Sequence, residues 1–348
     1  TSEPNVMFAS TFQKRDAAGA DIIVKVLDDV LNAGKSGSIQ FVGAIDQGTS
    51  STRFLVFTPQ GEIGAWSQME HKQYFPSGED KVGWHEHDPL EIWWNVVTCI
   101  EAVLDALKKK KASFVIRAVG ITNQRETTVA WNAKTGAPYY NAIVWDDTRT
   151  TSIASHIASG NPDRLRPQTG LPLASYFAGT KVKWLLDNVP ELQKDLPSGD
   201  VRFGTIDTWL MYQLTGKPSN DTHAANVGGM FITDVSNASR WLFLDIATTE
   251  WDPALVNVVT APHEVPMSAL PEIRQSSEVY AKCTSVLEGV PAAAILGDQQ
   301  AALFGQCAFE PGEAKNTYGT GMFLMMNTGT TAVPSEHGLL TTIAYKID

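Results

Sequence analysis

The spacing of apolar residues divides the chain into an N-terminal segment, a run of short strands and a region that alternates helices with strands. Within residues 20–33, apolar side chains recur every three or four positions, which predicts a helix with one apolar face. They are Ile23, Val26, Leu27, Val30 and Leu31. Residues 34–38 read GKSGS, a composition typical of a flexible joint. We therefore interpret residues 1–40 as an N-terminal extension and linker.

The pattern changes to short strands at residue 41. Residues 41–46 and 53–57 are apolar runs bounded by turn residues, and residues 62–70 continue the pattern, which predicts a three-stranded meander. Asp88, followed by Pro89 and then by Glu91, is typical of a helix start. A buried stripe at helical spacing comes next, formed by Ile92, Val96, Ile100, Val103, Leu104 and Leu107.

The rest of the chain mixes both kinds of element. Strands are predicted at residues 114–122, 127–131, 142–145 and 292–296, and helices at residues 181–188 and 206–214. This order favours an α/β protein with a partly antiparallel sheet.

Composition restricts the class of protein further. Hydrophobic residues make up 43% and charged residues 19%, which is enough for a sizeable core. A formal net charge of -11 argues against non-specific binding to nucleic acid or to an anionic membrane. The three cysteines have neither disulfide nor zinc spacing, so we expect a reducing, cytoplasmic location. No window reaches the roughly 18 consecutive apolar residues that a span needs, so we expect no membrane span.

Two glycine- and hydroxyl-rich turns are candidates for binding phosphate. Residues 46–52, DQGTSST, follow the first strand, and residues 316–322, NTYGTGM, lie far along the chain. Backbone N–H groups and hydroxyls in such turns can bind phosphate oxygens, and Asp46 is a candidate ligand for Mg²⁺. The alternative is that both are ordinary solvent-exposed turns.

Two further sites carry charged residues at predicted strand ends. Arg125 and Glu126 can donate to and accept from neighbouring hydroxyls of a polyol, provided that the strand stops or bends there. Their alternative is a surface ion pair. Asp298 follows the apolar strand at residues 292–296, where an acid is well placed for catalysis, or it caps the helix predicted at residues 299–304.

Taken together, these motifs resemble those of the FGGY family of carbohydrate kinases. The resemblance extends over residues 41–348 in the same order throughout, and the pairing of NQRET with GDQQ favours the glycerol-specific members over the pentulose kinases. The resembling segments are IDQGTSSTRF, GWHEHDP, GITNQRETTVAW, AIVWDDTRT, YFAGTKVKWLLDN, TIDTWLMYQLTG, GDQQAALFGQ and KNTYGTG.

The resemblance implies an actin-like, ribonuclease-H-like fold of two domains and ATP- and Mg²⁺-dependent phosphorylation of glycerol to glycerol 3-phosphate. It assigns the glycerol site to Arg125, Glu126, Trp145, Tyr176, Asp298, Gln299 and Phe323. It assigns the two phosphate loops to Thr49, Ser50, Ser51, Arg53, Thr320 and Gly321. Asp46 and Asp298 match residues associated with the metal, and Asp298 matches the catalytic base.

The same resemblance implies a domain division and leaves alternatives open. We expect a glycerol-binding domain at residues 41–306 and the start of a nucleotide-binding domain, incomplete here, at residues 307–348. By resemblance we also expect a homo-oligomer, a dimer or a tetramer. The alternatives are another FGGY sugar kinase, such as a pentulose kinase, or a non-catalytic glycerol-binding fragment. Ala178 and the pair Asp146–Asp147 depart from the family pattern, and the sequence assigns that pair no role.

Overall fold

A computed structural model describes residues 9–15, 21–28, 31, 38–218, 224–319, 321–335 and 337–347. The strands of these residues are β1 (Ala9–Arg15), β2 (Asp21–Leu27), β3 (Ile39–Gln47), β4 (Ser51–Phe57), β5 (Ile63–Glu70), β6 (Glu86–His87), β7 (Phe114–Asn123), β8 (Thr128–Asn132), β9 (Ala142–Ile143), β10 (Val201–Thr205), β11 (Ile232–Asp234), β12 (Leu244–Asp245), β13 (Glu250–Trp251), β14 (Glu272–Arg274), β15 (Ser277–Lys282), β16 (Pro291–Gly297), β17 (Ala314–Tyr318) and β18 (Met322–Met326). The α-helices are α1 (Pro89–Lys109), α2 (Thr151–Ala158), α3 (Arg166–Thr169), α4 (Ala178–Asn188), α5 (Pro190–Asp195), α6 (Ile206–Thr215), α7 (Val235–Ala238), α8 (Pro253–Thr260) and α9 (Asp298–Gly305). Three 3₁₀ turns lie at Glu79–Lys81, Leu196–Ser198 and Met267–Ala269.

An eight-stranded sheet organises the fold, in the order β1-β2-β5-β4-β3-β7-β16-β15. Strands β3, β4 and β5 form the antiparallel meander that the sequence predicts, whereas β3, β7 and β16 run parallel to one another. The mixed sheet confirms the α/β prediction. Parallel neighbours matter for function because their carboxyl ends meet at one edge of the sheet.

Helix α1 covers one face of this sheet and begins where the sequence predicts. The Asp88 carboxylate accepts hydrogen bonds from the N–H groups of Leu90 and Glu91, so Asp88 caps the helix. The side chain of Glu91 instead accepts from the N–H of Lys72. The predicted apolar stripe of α1 packs into the main core together with the sheet and α6.

A second core lies beyond the main sheet. It is built on α4, α8 and the four-stranded sheet β10-β8-β9-β6, with Phe177, Phe203 and Trp241 among its fully buried side chains. The strand predicted at residues 142–145 is shorter than expected, since only Ala142–Ile143 pair. In the part of the chain that the structure describes, we find no helix long and apolar enough to cross a membrane.

The predicted N-terminal helix is wrong. Residues 21–27 form strand β2, which pairs antiparallel with β5 and extends the main sheet. Ile22, Val24 and Val26 are buried, whereas the intervening Ile23 is 42% exposed. The apolar residues of this segment fit both the spacing of a helix and the alternation of a strand. Pairing with the edge of β5 favours the strand. Val30 and residues 34–37 of the predicted joint lie outside the described residues.

The adjacent isoleucines of β2 provide a direct test of this correction. We expect Ile22→Ala to destabilise the protein by about 2–5 kcal/mol, because it leaves a cavity in the core. Ile23→Ala, a matched control, should cost less than about 1 kcal/mol. Urea unfolding of both variants measures the difference. A larger loss for Ile23→Ala would restore the helical interpretation.

Candidate active site

Three parallel strands end side by side at one edge of the main sheet. Gln47 of β3 and Gly297 of β16 are both register partners of Asn123, the last residue of β7. The segments that follow these strands therefore begin at the same level of the sheet. They are residues 48–51 after β3, residues 124–127 after β7, and α9 after β16. The sequence motifs that were separate along the chain are neighbours here. This is the edge where open α/β sheets bind ligands.

The first turn is held on both sides. Gly48 donates from its N–H to the carbonyl of Ser51 at 2.9 Å, which closes the β3–β4 hairpin. The indole Nε1–H of Trp145 donates to the Thr49 hydroxyl at 2.9 Å, and Gln73 donates to the Thr49 carbonyl at 3.1 Å. The turn is thus fixed by contacts with distant segments. Thr49, Ser50 and Ser51 all line the cleft described below.

Asp46 and Arg53 form an ion pair across the same hairpin. Their side chains lie 2.9 Å apart on paired positions of β3 and β4, and both are partly exposed. Arg53 lines the cleft, whereas Asp46 is not among its lining residues. The described residues contain no group of three or more histidines, cysteines, aspartates or glutamates that could hold a metal by themselves.

Strand β7 ends just before Arg125 and Glu126, so both side chains can face one ligand. The N–H of Thr127 donates to the carbonyl of Arg125 at 2.7 Å, closing a three-residue turn. Glu126 at its centre has a φ of 60°, an unusual conformation for a residue other than glycine. The exposed fractions of Arg125 and Glu126 are 7% and 1%, so the interpretation as a surface ion pair is wrong.

Each of these two charges has a partner from elsewhere in the chain. Arg125 Nε donates to Asp298 Oδ1 at 3.1 Å. Glu126 accepts from Arg240, which is also buried and lies over the rings of Tyr176 and Phe177. Sequence reasoning missed Arg240, because nothing in the surrounding NASRW marks it as buried.

Asp298 is the first residue of α9 and follows β16, the strand that pairs with β7. Its carboxylate accepts from the backbone N–H of Gln299 at 2.7 Å and from the Gln299 side chain at 3.0 Å. Burial raises the pKa of Asp298, and the Arg125 charge opposes that rise. The N-cap itself is Gly297, where an added Cβ would lie 2.7 Å from Arg125 Cδ. The glycine therefore lets Arg125 approach Asp298 closely.

Three aromatic rings form one wall of the site. Trp145 lies 5.7 Å from Tyr176 and 5.8 Å from Phe323, measured between ring centroids. The Arg125 guanidinium is 5.6 Å from the centre of the Phe323 ring. These rings can cover the carbon skeleton of a polyol while the charged groups bind its hydroxyls.

These groups line an open cleft with a volume of about 190 Å³. Its lining combines the hydroxyl turn, the charged strand ends, the aromatic wall and the second turn. The lining residues are Gly48, Thr49, Ser50, Ser51, Arg53, Gln124, Arg125, Glu126, Trp145, Tyr176, Asp298, Gln299, Thr317, Gly319, Gly321 and Phe323. Thr320 lies outside the described residues. A larger depression of about 820 Å³ near residues 196–199 and 257–268 contains none of the motif residues.

Two buried lysines that sequence reasoning missed support the site. Lys181 is fully buried, and its ammonium donates to the carbonyls of Tyr176 at 2.7 Å and Glu126 at 3.4 Å. Lys315 donates to Gln299 and Thr317. Burial lowers the pKa of each to about 8, and the nearby carboxylates oppose that shift. Both lysines hold residues that line the cleft.

The structure also assigns contacts to the pair Asp146–Asp147. Asp147 is buried and bonds the Arg149 guanidinium, which also pairs with Glu86 at 2.8 Å. That guanidinium lies 3.9 and 4.6 Å from the ring centres of Trp84 and Trp184, which also contact each other edge to face. Asp146 instead pairs with His85 at 2.7 Å.

Comparison with known proteins shows what the chain resembles. Residues 41–305 match the N-terminal domain of the FGGY family of carbohydrate kinases. The chain is 53% identical to a glycerol kinase of Brucella anthropi over 311 residues, and 50% identical to one of Roseiflexus sp. over 309 residues. These alignments cover 89% and 88% of this chain but only 59% and 58% of the relatives.

Solved structures show the same fold. The glycerol kinase of Plasmodium falciparum with ADP superposes with a TM-score of 0.80 at 38% identity, covering 89% of this chain and 58% of that one. The gluconate kinase of Lactobacillus acidophilus superposes with a TM-score of 0.67 at 20% identity, covering 82% and 54%. The fold is thus the actin-like, ribonuclease-H-like fold that the sequence predicts. The chain spans about three fifths of the length of these proteins.

Removing Arg240 tests the buried charge arrangement. We expect Arg240→Met to destabilise the protein by about 3–5 kcal/mol near neutral pH, because it leaves the Glu126 carboxylate buried and unpaired. Protonation relieves an unpaired buried carboxylate, so the loss should shrink as the pH falls. Urea unfolding at pH 8 and pH 5 measures this change.

The exposed pair Lys134–Asp200 supplies the control, since Lys134→Met should lower the free energy of unfolding by no more than about 1 kcal/mol. Equal losses in both variants would contradict a special role for the buried pair.

Proposed function

The chain belongs to the FGGY family of carbohydrate kinases, and we propose that the protein containing it transfers the γ-phosphoryl group of ATP to glycerol. The observation that carries this proposal is the convergence of Arg125, Glu126 and Asp298 beside an aromatic wall in one small cleft. The products are ADP and glycerol 3-phosphate. Similarity to the glycerol kinases at about 50% identity supports the choice of substrate.

The charged groups suit a triol. Arg125 presents donors and Glu126 presents acceptors on the same side of a sharp turn, so together they can bind two neighbouring hydroxyls of glycerol. The third hydroxyl then lies near Asp298. As the new P–O bond forms and the bond from the γ-phosphorus to the leaving oxygen breaks, Asp298 accepts the hydroxyl proton.

The two turns form the phosphate side of the cleft. Thr49, Ser50, Ser51 and Arg53 on the first turn, with Thr320 and Gly321 on the second, would donate to the phosphate oxygens of ATP.

Mg²⁺ is held in kinases by one or two carboxylates together with the phosphates, and when bound it neutralises charge developing on them. Asp46 fits that role, since among the described contacts only its Oδ2 is engaged, by Arg53. Asp298 is the second candidate ligand. The oxygen chemistry of both is that which Mg²⁺ prefers.

Several broader assignments are part of the proposal. We assign glycerol binding to residues 41–306 and the start of the nucleotide-binding domain to residues 307–348. We also propose a cytoplasmic homo-oligomer. Another FGGY kinase, acting on a pentulose, is the second candidate, and the structural similarity to a gluconate kinase concerns the fold alone. Comparing phosphorylation rates for glycerol and xylulose separates these two candidates.

Asp298→Asn tests the catalytic base. The amide cannot accept the hydroxyl proton, so we expect kcat to fall by roughly 10²–10⁴ while the protein stays folded. Asp252→Asn is the matched control, because Asp252 also lies at a helix start, where it accepts from the N–H of Ala254. Steady-state kinetics and thermal unfolding are measured together in the complete gene product. Near-normal kcat in folded Asp298→Asn protein would remove Asp298 from the mechanism.

The pH dependence of the reaction tests the same residue. Because burial raises the pKa of Asp298, the acid limb of kcat should lie above the value of about 3.9 for an ordinary aspartate. Activity should fall as the pH drops through this limb.

Arg125→Ala tests the polyol site. It removes the donors of a buried charged group, so glycerol binding should weaken by about 2–4 kcal/mol, with a smaller effect on ATP. Titration calorimetry with each ligand separates the two effects. Arg274→Ala, which removes an arginine paired with Glu278 outside the cleft, should change neither affinity. An unchanged glycerol affinity in Arg125→Ala would refute the site.

A further inference from the structure

A cluster of three histidines lies directly behind the first phosphate turn. His71, His85 and His87 are buried, with ring centroids 4.6 Å apart for the first and third and 5.1 Å apart for the last two. Gln73 connects this cluster to the turn. Its side-chain Nε2 donates to the Thr49 carbonyl, and its Oε1 lies 2.8 Å from Nε2 of both His85 and His87.

The orientation of the Gln73 amide follows from its partners. Its nitrogen lies 3.1 Å from two backbone carbonyls, those of Thr49 and His71, and only an N–H group can bond both. The amide oxygen therefore faces the imidazoles. Since that oxygen accepts only, His85 and His87 must each carry a proton on Nε2.

The second ring nitrogen distinguishes the two histidines. Nδ1 of His87 faces the Gln124 amide nitrogen at 3.3 Å and accepts from it, so His87 is neutral. Burial lowers the pKa of His87 to about 2, in agreement. Nδ1 of His85 lies 2.7 Å from Oδ1 of Asp146, an acceptor, so it also carries a proton. His85 therefore donates from both nitrogens, which only the imidazolium form can do.

We propose that His85 and Gln73 are positioning residues for phosphoryl transfer, with the His85 imidazolium holding Gln73 so that its amide fixes the peptide between Thr49 and Ser50 for binding ATP phosphate. This inference rests on the proposed function. In a trans peptide the N–H points opposite to the carbonyl, so the Ser50 N–H is directed away from Gln73. Within the described residues neither Thr49 nor Ser50 has an acceptor for its N–H. Both groups are thus available for phosphate.

The arrangement links the phosphate turn to the polyol wall. Asp146, which pairs with His85, directly follows Trp145, whose indole bonds the Thr49 hydroxyl. Two consecutive residues therefore hold Thr49 from both sides, one directly and the other through His85 and Gln73. The aromatic wall and the phosphate turn cannot move independently while these bonds persist.

Several other groups face His85. Asp146 faces one nitrogen, the Asp147 carboxylate accepts the His85 backbone N–H, and Phe75 stacks on the ring with centroids 4.5 Å apart. His71 and His87, both with pKa values lowered by burial, are the other titratable neighbours.

The first experiment measures protonation directly. In the complete gene product that contains the chain, ¹⁵N-labelled histidine spectra at pH 7 should show both ring nitrogens of His85 protonated, with His85→Asn assigning the signal. Asp146→Asn removes the carboxylate that faces Nδ1, so it should leave a proton on only one of the two nitrogens. Asp80→Asn, an equal charge change on an exposed residue outside the cluster, should leave both protons in place. A neutral His85 in the unmodified protein would overturn the inference.

The second experiment measures the consequence for the nucleotide. Gln73→Glu keeps an acceptor for both histidines and removes the donor to the Thr49 and His71 carbonyls. The Kd for ATP should rise about tenfold, the effect of losing the hydrogen bond that holds Thr49. The Kd for glycerol should change less than twofold. Gln193→Glu alters another glutamine that bonds a backbone carbonyl, outside the cleft, and should change neither.

The outcomes separate this inference from the proposed function. If ATP binds less tightly to Gln73→Glu but the unmodified protein does not phosphorylate glycerol, the proposed function fails and the positioning role stands. If glycerol is phosphorylated and Gln73→Glu binds ATP normally, the positioning role alone is refuted.

Discussion

The register of three parallel strands is the constraint on which the site depends. Gln47, Asn123 and Gly297 end β3, β7 and β16 at one level of the sheet, so the next residue of each segment enters the same space. A shift of one residue in any strand would move its motif and turn its side chains to the other face. Hydrogen bonds of the ladder thereby determine which of the distant motifs can reach one ligand.

Given that register, the charges at the edge are arranged so that each buried ion has a partner. Arg125 pairs with Asp298, and Glu126 pairs with Arg240, so two opposite charges are held next to each other without neutralising one another. A direct Arg125–Glu126 pair would use up the groups that a polyol needs. The turn at Glu126, with its positive φ, separates the two partners and keeps both side chains at the cleft.

Sequence reasoning succeeded where the determining interactions are local. The cap at Asp88, the meander and the placement of the three motifs at strand ends depend on residues close together in the chain, and the structure confirms them. It failed at β2, where apolar residues fit both a helix and a strand and a distant edge decides. Arg240, Lys181 and Lys315 were missed for the same reason, since their burial comes from segments far away in sequence. The assigned roles of the site residues remain proposals.

The contacts behind the cleft explain why a small site needs so much of the domain. Thr49 is held by Trp145 and Gln73, and the carbonyls of Glu126 and Tyr176 are held by Lys181. Each of these donors comes from a different segment and bonds a backbone or hydroxyl oxygen, leaving the groups that face the cleft free for a ligand. The proposed phosphoryl transfer depends mainly on positioning and charge stabilisation, so support of this kind would be a large part of its chemistry. In that reaction, walls bonded to one another would let a cleft of about 190 Å³ distinguish one hydroxyl from its neighbours.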